Sequence, residues 1–463
     1  MDTVKPSQEL LRSLTDEHVL RALMRHRLLT RAELSAEIGI SKPTAGESVR
    51  RLTEAGLVVD TGQRTPGGRG RGRVGSYYSL APDVGLALAV SVAPEGVVAE
   101  CLDAYGDLVA RVEKPIGRPA RPDDVAAALG SAVDAVRELV EARQEAEFLE
   151  SGGGRDDSPE LRGAGVGGDD NVELRGTGAG RDDGLGLLEG GVGRGGGVGL
   201  SEGGVGRDDG VGLSEGGVGR DDGVGSRDDG VGLRQRGRLR LNARPRLAVV
   251  SAADPVDRHT GRLLQLPDAP FLLGEIDPVA VLAERVGGAV LVDNDVNWAA
   301  EAERAATPLD DFAYLYLDEG LGCAVVSDGE VRRGHRGVAG EVAHLITVGP
   351  EGRAMPLIEV FGLLGLRHEH STAVDVDRLL AQRPPEVVTA VGGLIAALAA
   401  LIDPEVVVIG GRWGTQLIDV IAAEVGRSPR PVPVRAASVS TEPSLTGARA
   451  DAVHRLRGLI TAR

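Results

Sequence analysis

Four arginines, Arg64, Arg69, Arg71 and Arg73, punctuate a glycine-rich stretch in which no acid occurs between Thr61 and Leu80. Guanidinium groups so spaced neutralise phosphates, and the glycines let a loop follow a nucleic-acid groove closely. Just upstream, the run Ser41 to Arg51 sets Lys42, Thr44, Ser48 and Arg51, together with Glu47, on what reads as the outer face of a short helix. Ser41, Lys42, Thr44, Ser48 and Arg51 are therefore candidates for contacts to DNA backbone or base edges. Glu47 either accepts from a cytosine amino group or only lowers non-specific affinity. A second chemical group lies far along the chain: Asn294-Asp295-Val296-Asn297, then Glu341 and His344. A carboxylate at a strand end either takes a proton from a hydroxyl or simply accepts hydrogen bonds from a hydroxylated ligand. The plainer readings are a helix-terminal acid for Asp295 and a surface histidine for His344.

These residues need elements to hold them. Val19, Leu20 and Leu23 lie on one side of a helix over His18–His26. Thr30 followed by Glu33 is a capping box that opens a helix to Ile38, Gly39-Ile40 turns the chain, and Ser41 caps a third helix with Pro43 in its first turn. Ala45, Val49 and Leu52 face inward, Gly56 ends the helix, and a strand begins at Leu57. Helix, helix, tight turn, helix and strand predict a winged helix-turn-helix over residues 1–80, with the arginine-rich stretch as its wing. A small protein–protein module with an Arg/Gly loop is the alternative. Charge favours DNA. Residues 1–80 hold 13 Lys and Arg against 9 Asp and Glu, while the whole chain carries −17.

The rest reads as α/β in the parts 83–150 and 239–463, with strands near Leu86–Val92, Val97–Leu102, Leu108–Glu113, Arg246–Val250, Ala289–Val292, Phe312–Leu317, Cys323–Ser327 and Val406–Ile409. Helices fall near Asp123–Arg143, Asp277–Val286, Asn297–Ala306 and Val387–Ile402. Residues 151–238 are a low-complexity insert. Of 68 glycines in the 463 residues, 30 lie in 151–230, and Arg-Asp-Asp-Gly recurs at Arg207, Arg220 and Arg227. So little apolar mass predicts disorder. Gly203–Asp208 matches a calcium-roll unit, but the repeat steps do not register with such a roll. Two cysteines, Cys101 and Cys323, fit a reduced cytoplasmic setting and exclude a disulfide scaffold or a multi-thiolate metal site. No export signal is visible, and the apolar run Val387–Ile402 is shorter than a membrane span, so no membrane partner is expected.

The phrase Leu291-Val-Asp-Asn-Asp-Val-Asn-Trp-Ala-Ala-Glu-Ala-Glu303 resembles the signature of the ROK family of sugar kinases and repressors. So do Gly329–His344, with its Glu-x-x-His at Glu341 and His344, Asp254-Pro-Val-Asp-Arg-His-Thr-Gly261, which parallels the family's Gly-Pro-Val-Asp turn, and Asp403–Gly411, which parallels its adenosine-side loop. The resemblance implies an actin-like pair of α/β lobes. It implies that Asp295 stands where the kinases keep their base, and that Asn294, Asp295, Glu341, His344 and, with a one-residue shift, Glu359 would contact a sugar. It also marks departures. The first phosphate loop, Asp-x-Gly-x-Thr in the kinases, corresponds to Val90–Gly96, with Pro94 and Glu95. The second, Gly-Thr-Gly-x-Gly, reads Asp318-Glu-Gly-Leu-Gly322. The family's zinc cysteines are missing between Thr347 and Ile358. One imidazole does not make a tetrahedral zinc site. The expected protein is a DNA-binding repressor with a catalytically inactive sensor lobe pair, no catalytic residues, no metal and no cofactor. Its expected partners are operator DNA, a sugar or sugar-phosphate effector, and a second copy of itself. The alternatives are a body serving only as a dimerisation or partner-binding scaffold, and an ATP-dependent sugar kinase.

Overall fold

The computed structural model describes residues 8–65, 75–150, 244–266, 271 and 274–462. The insert 151–238, and with it the expectation of disorder, lies outside the described residues. The N-terminal module runs α1 (Gln8–His26), β1 (Leu29–Thr30), α2 (Arg31–Glu37), α3 (Lys42–Glu54), β2 (Val58–Arg64) and β3 (Ser76–Leu80). Both expected caps form. Thr30 and Glu33 make a reciprocal capping box on α2, and the Ser41 side chain accepts from the Thr44 amide at the start of α3. α1 begins ten residues earlier than its apolar pattern suggested, because its first turns are exposed and carry no such pattern. The short strand β1 was not expected. It pairs antiparallel with β3, which also pairs with β2.

The first lobe is β4 (Ala87–Ala93), β5 (Gly96–Leu102), β6 (Leu108–Lys114), α4 (Pro122–Glu150), β7 (Leu247–Ala252), α5 (Pro278–Leu282) and β8 (Val290–Asn294), followed by α6 (Asp295–Ala306). α5 is shorter than its pattern suggested. The second lobe is β9 (Phe312–Leu317), β10 (Leu321–Ser327), β11 (Glu330–Val331), a small hairpin of β12 (Ile346–Val348) and β13 (Ala354–Pro356), α7 (Leu357–Leu363), α8 (Val376–Gln382), α9 (Pro385–Ile402), β14 (Val406–Gly410), α10 (Arg412–Gln416), α11 (Ile418–Val425) and β15 (Val434–Ala436). α12 (Pro443–Thr461) ends the chain.

The two large sheets repeat one plan. Their orders are β6-β5-β4-β7-β8 and β11-β10-β9-β14-β15, each with an antiparallel meander followed by two parallel strands. This is the actin-like α/β pair of lobes. By length and composition α9 could cross a membrane, but Val387, Ala390, Val391, Leu394 and Ile395 are fully buried in the core of the second lobe.

α6 lies between the sheets. Trp298 packs into the core shared by the first sheet and α12, while Val296, Ala299 and Ala300 pack against Phe312, Tyr314 and Val408 of the second. α12 approaches α6 so closely that a Cβ at Gly447 would collide with the Trp298 carbonyl, which fixes glycine there. Two buried carboxylates secure this arrangement. Glu100 on β5 is held by Arg111 at 2.7 Å and by Arg449 of α12. Glu303 on α6 accepts from Arg435 at 2.7 Å and from the Ser438 amide at 2.8 Å.

Candidate functional site

Two sites emerge. On the winged helix, Ser41, Lys42 and Thr44 are exposed at the N-terminal end of α3, with the Ser41 and Thr44 hydroxyls 2.7 Å apart. This end of α3 is free to meet a groove. Ser48 is not. It is fully buried, and its Oγ donates to Asp16 of α1 at 2.5 Å. It belongs to the inward stripe Ala45, Ser48, Leu52, at spacings of three and seven, so the expectation of a DNA-facing Ser48 is wrong. Arg51 is part-buried and also held by Asp16, at 2.6 Å, which makes it a clamp between α1 and α3 rather than a phosphate contact. Arg64 pairs with Asp60 at 2.8 Å, an acid just before the acid-free stretch. Arg69, Arg71 and Arg73 lie outside the described residues. Glu47 and Glu54 flank Arg50 at 2.9 and 2.6 Å, so the charge of Glu47 is partly covered. The i, i+3, i+4 spacing of these three residues was the signal for that pairing.

The second site lies at the carboxyl ends of β7 and β8, where ligands settle in α/β sheets. Parallel pairing sets Ala252 opposite Asn294. Asn294 caps α6, accepting from the Val296 amide at 2.9 Å, and its side-chain amide donates to the Asp254 carbonyl at 3.4 Å. Asp295 follows as the first residue of α6, two residues before the expected start, because Asn294 rather than a later residue is the cap. Asn297 donates to Asp293 at 2.8 Å, and Arg333 grips the same carboxylate at 2.5 Å.

Asp254, Asp295 and Glu341 form an electrostatically coupled cluster. Burial, with the charges of Asp295 and Glu341, pushes Asp254 up to about 8. Burial, with Glu95 and Asp293 nearby, pushes Asp295 up to about 7, and burial with Asp295 does the same to Glu341, to about 7. In the sequence Asp254 stands out only as the opening residue of a turn motif, with no local signal of its burial beside other acids. His344 and Glu359 take no part in the interactions that link these acids. His344 is exposed, and Glu359 is exposed and paired with Arg367 at 3.2 Å. A one-residue shift in the comparison was already needed to place Glu359, and the structure gives it a partner elsewhere.

A stability prediction follows. The three acids bind protons more tightly in the folded than in the unfolded chain, so the folded state loses its advantage as pH rises toward about 8. The melting temperature is expected to fall between roughly pH 5 and pH 8, each proton counting for at most about 1.4 kcal/mol per pH unit. In Asp254→Asn the fall should be shallower. A calorimetric profile that is flat or rises over this range would contradict the cluster.

The β4–β5 and β9–β10 turns, which the sequence resemblance sets against the kinases' phosphate loops, are held by the chain's own groups. The Asp318 carboxylate accepts from the Arg412 amide at 2.7 Å, at the start of α10, and the Asp318 carbonyl accepts from the Trp413 indole at 3.0 Å. Arg118 donates to the Pro94 carbonyl at 3.2 Å and to Glu319 at 2.8 Å, so one side chain ties the β4–β5 turn to the β9–β10 turn. A cavity of about 1220 Å³ lies elsewhere, at the amino ends of β7 and β8, lined by Arg244, Arg246, Trp298, Arg304, His454 and Arg455.

The winged helix is not a loose appendage. Its buried Val19, Leu20, Leu23 and Val49 share one core with Ala87 and Ala89 of β4 and with Leu445, Leu456 and Ile460 of α12. Arg27 clasps Asp107 through both nitrogens at 2.5 and 2.6 Å and lies over the Tyr105 ring, and the Leu80 amide donates to the Tyr105 hydroxyl at 3.0 Å.

Residues 239–355 match the model of the ROK family, and residues 12–59 match that of winged helix-turn-helix DNA-binding domains. The bifunctional enzyme NanE/NanK of Brucella suis biovar 1 is 30% identical over 157 residues, 30% of this chain and 30% of that protein. The uncharacterized protein YphH of Escherichia coli K12 is 29% identical over 190 residues, 39% of this chain and 44% of that protein. The chain thus spans less than half the length of the curated relatives it matches. Among solved structures, a ROK family transcriptional regulator described as a homologue of the E. coli MLC protein superposes with a TM-score of 0.49 at 14% identity, over 97% of this chain and 99% of that one. A ROK family glucokinase from Streptomyces griseus, in complex with glucose and AMPPNP, gives 0.42 at 18% identity, over 80% and 100%. Residues 239–355 thus carry a ROK-family match and residues 12–59 a winged helix-turn-helix match, in one chain.

Proposed function

We propose that this protein is a DNA-binding transcription regulator, a repressor of carbohydrate-related genes, whose kinase-like lobes sense a sugar or sugar phosphate and catalyse nothing. It would act as a homodimer on operator DNA, without ATP or zinc. The observation that carries the regulator reading is the seam between reader and sensor. The winged helix shares its core with α12, α12 packs on α6, and α6 begins at Asp295. A ligand that draws the lobes together around Asp295 would move α6 and with it the platform under the winged helix. A body that served only as a scaffold would not need its candidate ligand residue on the helix that supports the reader.

The phosphate-loop geometry supports the inactive reading. A carboxylate already accepts the amide at the start of α10, and phosphate oxygens brought there would face Asp318 and Glu319. The residues present do not fit a nucleotide's phosphates, and we assign no step to ATP.

The test is selection of a preferred duplex from a random pool, followed by gel-shift titration with and without a panel of hexoses and hexose phosphates. Lys42→Ala or Thr44→Ala is expected to relax base preference, with about 1–3 kcal/mol of discrimination lost per base contact. Ser48→Ala should leave base preference alone and lower stability by roughly 1 kcal/mol, because it only removes a buried hydrogen bond to Asp16. Equal base preference in wild type and Lys42→Ala/Thr44→Ala would remove α3 from the groove.

A further inference from the structure

Arg21, Arg25, Arg27, Arg50, Arg51 and Arg64 of the winged helix each pair with a carboxylate. Arg31, the first residue of α2, does not. It is exposed, and its guanidinium carbon lies 5.1 Å from the centroid of the buried Tyr78 ring on β3. Among the described residues its side chain makes no hydrogen bond and no ion pair. A ring face holds a guanidinium in place but leaves the five N–H donors of the fork unspent. Gly46 of α3 stands beside it: a Cβ built there would have Arg31 Cδ as its nearest neighbour, at 4.0 Å. The fold does not call for glycine at this position. Its φ is not positive, unlike that of Gly39 and Gly56, and a methyl group would meet nothing closer than that ordinary contact. Inside a helix glycine is less stabilising than alanine. What it offers is bare backbone to a body that approaches from outside, and Gly46 lies one turn after Lys42 on the same side of α3.

We propose that Arg31 and Gly46 together seat one sugar-phosphate strand of the operator. The Arg31 fork holds a phosphate, and the missing side chain at position 46 lets the strand close against α3. The proposal rests on the DNA-regulator reading above and deepens it, by adding a backbone contact that sets how far α3 enters the groove. A phosphate fits because its oxygens accept two parallel N–H bonds from one guanidinium, which Tyr78 has already oriented. Such a contact positions the reader and carries no base information, so it is separate from the base contacts assigned to Lys42 and Thr44.

The test uses the full chain with the duplex recovered from the random pool and an unrelated duplex of equal length, in anisotropy titrations from about 50 to about 200 mM salt. Arg31→Gln is expected to weaken binding to both duplexes alike, by about tenfold at the lower salt, and to lower the log–log salt slope by about one unit. Arg31→Lys, which keeps the charge and loses the fork, should keep the wild-type slope and recover part of the affinity. Gly46→Ala is expected to raise the melting temperature by about 2 °C and yet to weaken binding about tenfold. A lower melting temperature in Gly46→Ala would mean that the fold itself needs the glycine, and would overturn the proposal. So would wild-type affinity in Gly46→Ala or an unchanged salt slope in Arg31→Gln, and each of these results leaves the regulator reading in place. A wild-type chain that selects no duplex would overturn both.

Discussion

Replacing Glu303 by alanine is expected to lower the stability of the folded chain by about 1–3 kcal/mol, since buried amides lose their acceptor while Arg435, 36% exposed, is taken up by solvent. The Glu303 carboxylate is fully buried, and it collects Arg435 at 2.7 Å, the Ser438 amide at 2.8 Å and the Val439 amide at 3.3 Å. Removing it leaves two backbone amides without their acceptor, while Arg435 turns to solvent and to the Ser438 hydroxyl. Arg435→Ala leaves the opposite charge uncompensated, so the double variant should cost less than the two single changes added together. The functional consequence is specific to α6. Glu303 anchors that helix to the segment after β15, while Asp295 begins its other end. A loosened α6 should also weaken the effect of any effector on DNA affinity, measured at a temperature where the variant is still folded. A Glu303→Ala protein that melts within about 1 kcal/mol of wild type would mean that solvent replaces these donors and that α6 is held by packing alone.

The winged helix was legible because local chemistry marks it. Thr30, Glu33, Ser41 and Gly56 are start and stop signals that act within a few residues, and the structure uses them as caps and turns. The strands of both lobes were legible for a similar reason, since short apolar runs bounded by turns have few other fates. Side-chain roles were less so. Ser48 and Arg51 were assigned to DNA because a helix face has no sharp edge in sequence, and Asp16, which claims both, lies 32 and 35 residues away. Asp254 was hidden for the same reason. Its neighbours Asp295 and Glu341 come from the start of α6 and from the other lobe, and only the folded chain brings the charges together. The tie between Arg118 and Glu319 spans 201 residues and had no sequence signal at all. His344 and Glu359 show the converse limit: a motif carried over from a family marks a position, not an environment.

Purified protein supplied with hexoses or amino sugars, ATP and magnesium is expected to form no sugar phosphate above a protein-free blank. Retaining Asp295 does not alter this. Phosphoryl transfer is accelerated mainly by positioning the phosphates and stabilising their charge, not by the base alone. The loops that would do so carry Pro94, Glu95, Asp318 and Glu319, and their backbone donors are partly spent: the Glu319 amide donates to the Asp318 carboxylate at 3.0 Å, and the Asp318 amide to the Gly320 carbonyl at 3.1 Å. Two unit charges about 4 Å apart repel by about 1 kcal/mol even in water and by more in a cleft, so ATP should not shift the melting temperature either. Asp318→Gly with Glu319→Thr would free the start of α10 and release Arg118, yet activity should stay absent because the β4–β5 turn still presents Pro94 and Glu95 in place of a phosphate cradle. Nucleotide binding, by contrast, should become measurable in that double variant as a thermal shift with ATP, since the carboxylates that oppose the phosphates are gone. Turnover by the wild-type protein that disappears in Asp295→Ala would overturn the inactive reading and make this chain a sugar kinase carrying its own DNA-binding domain.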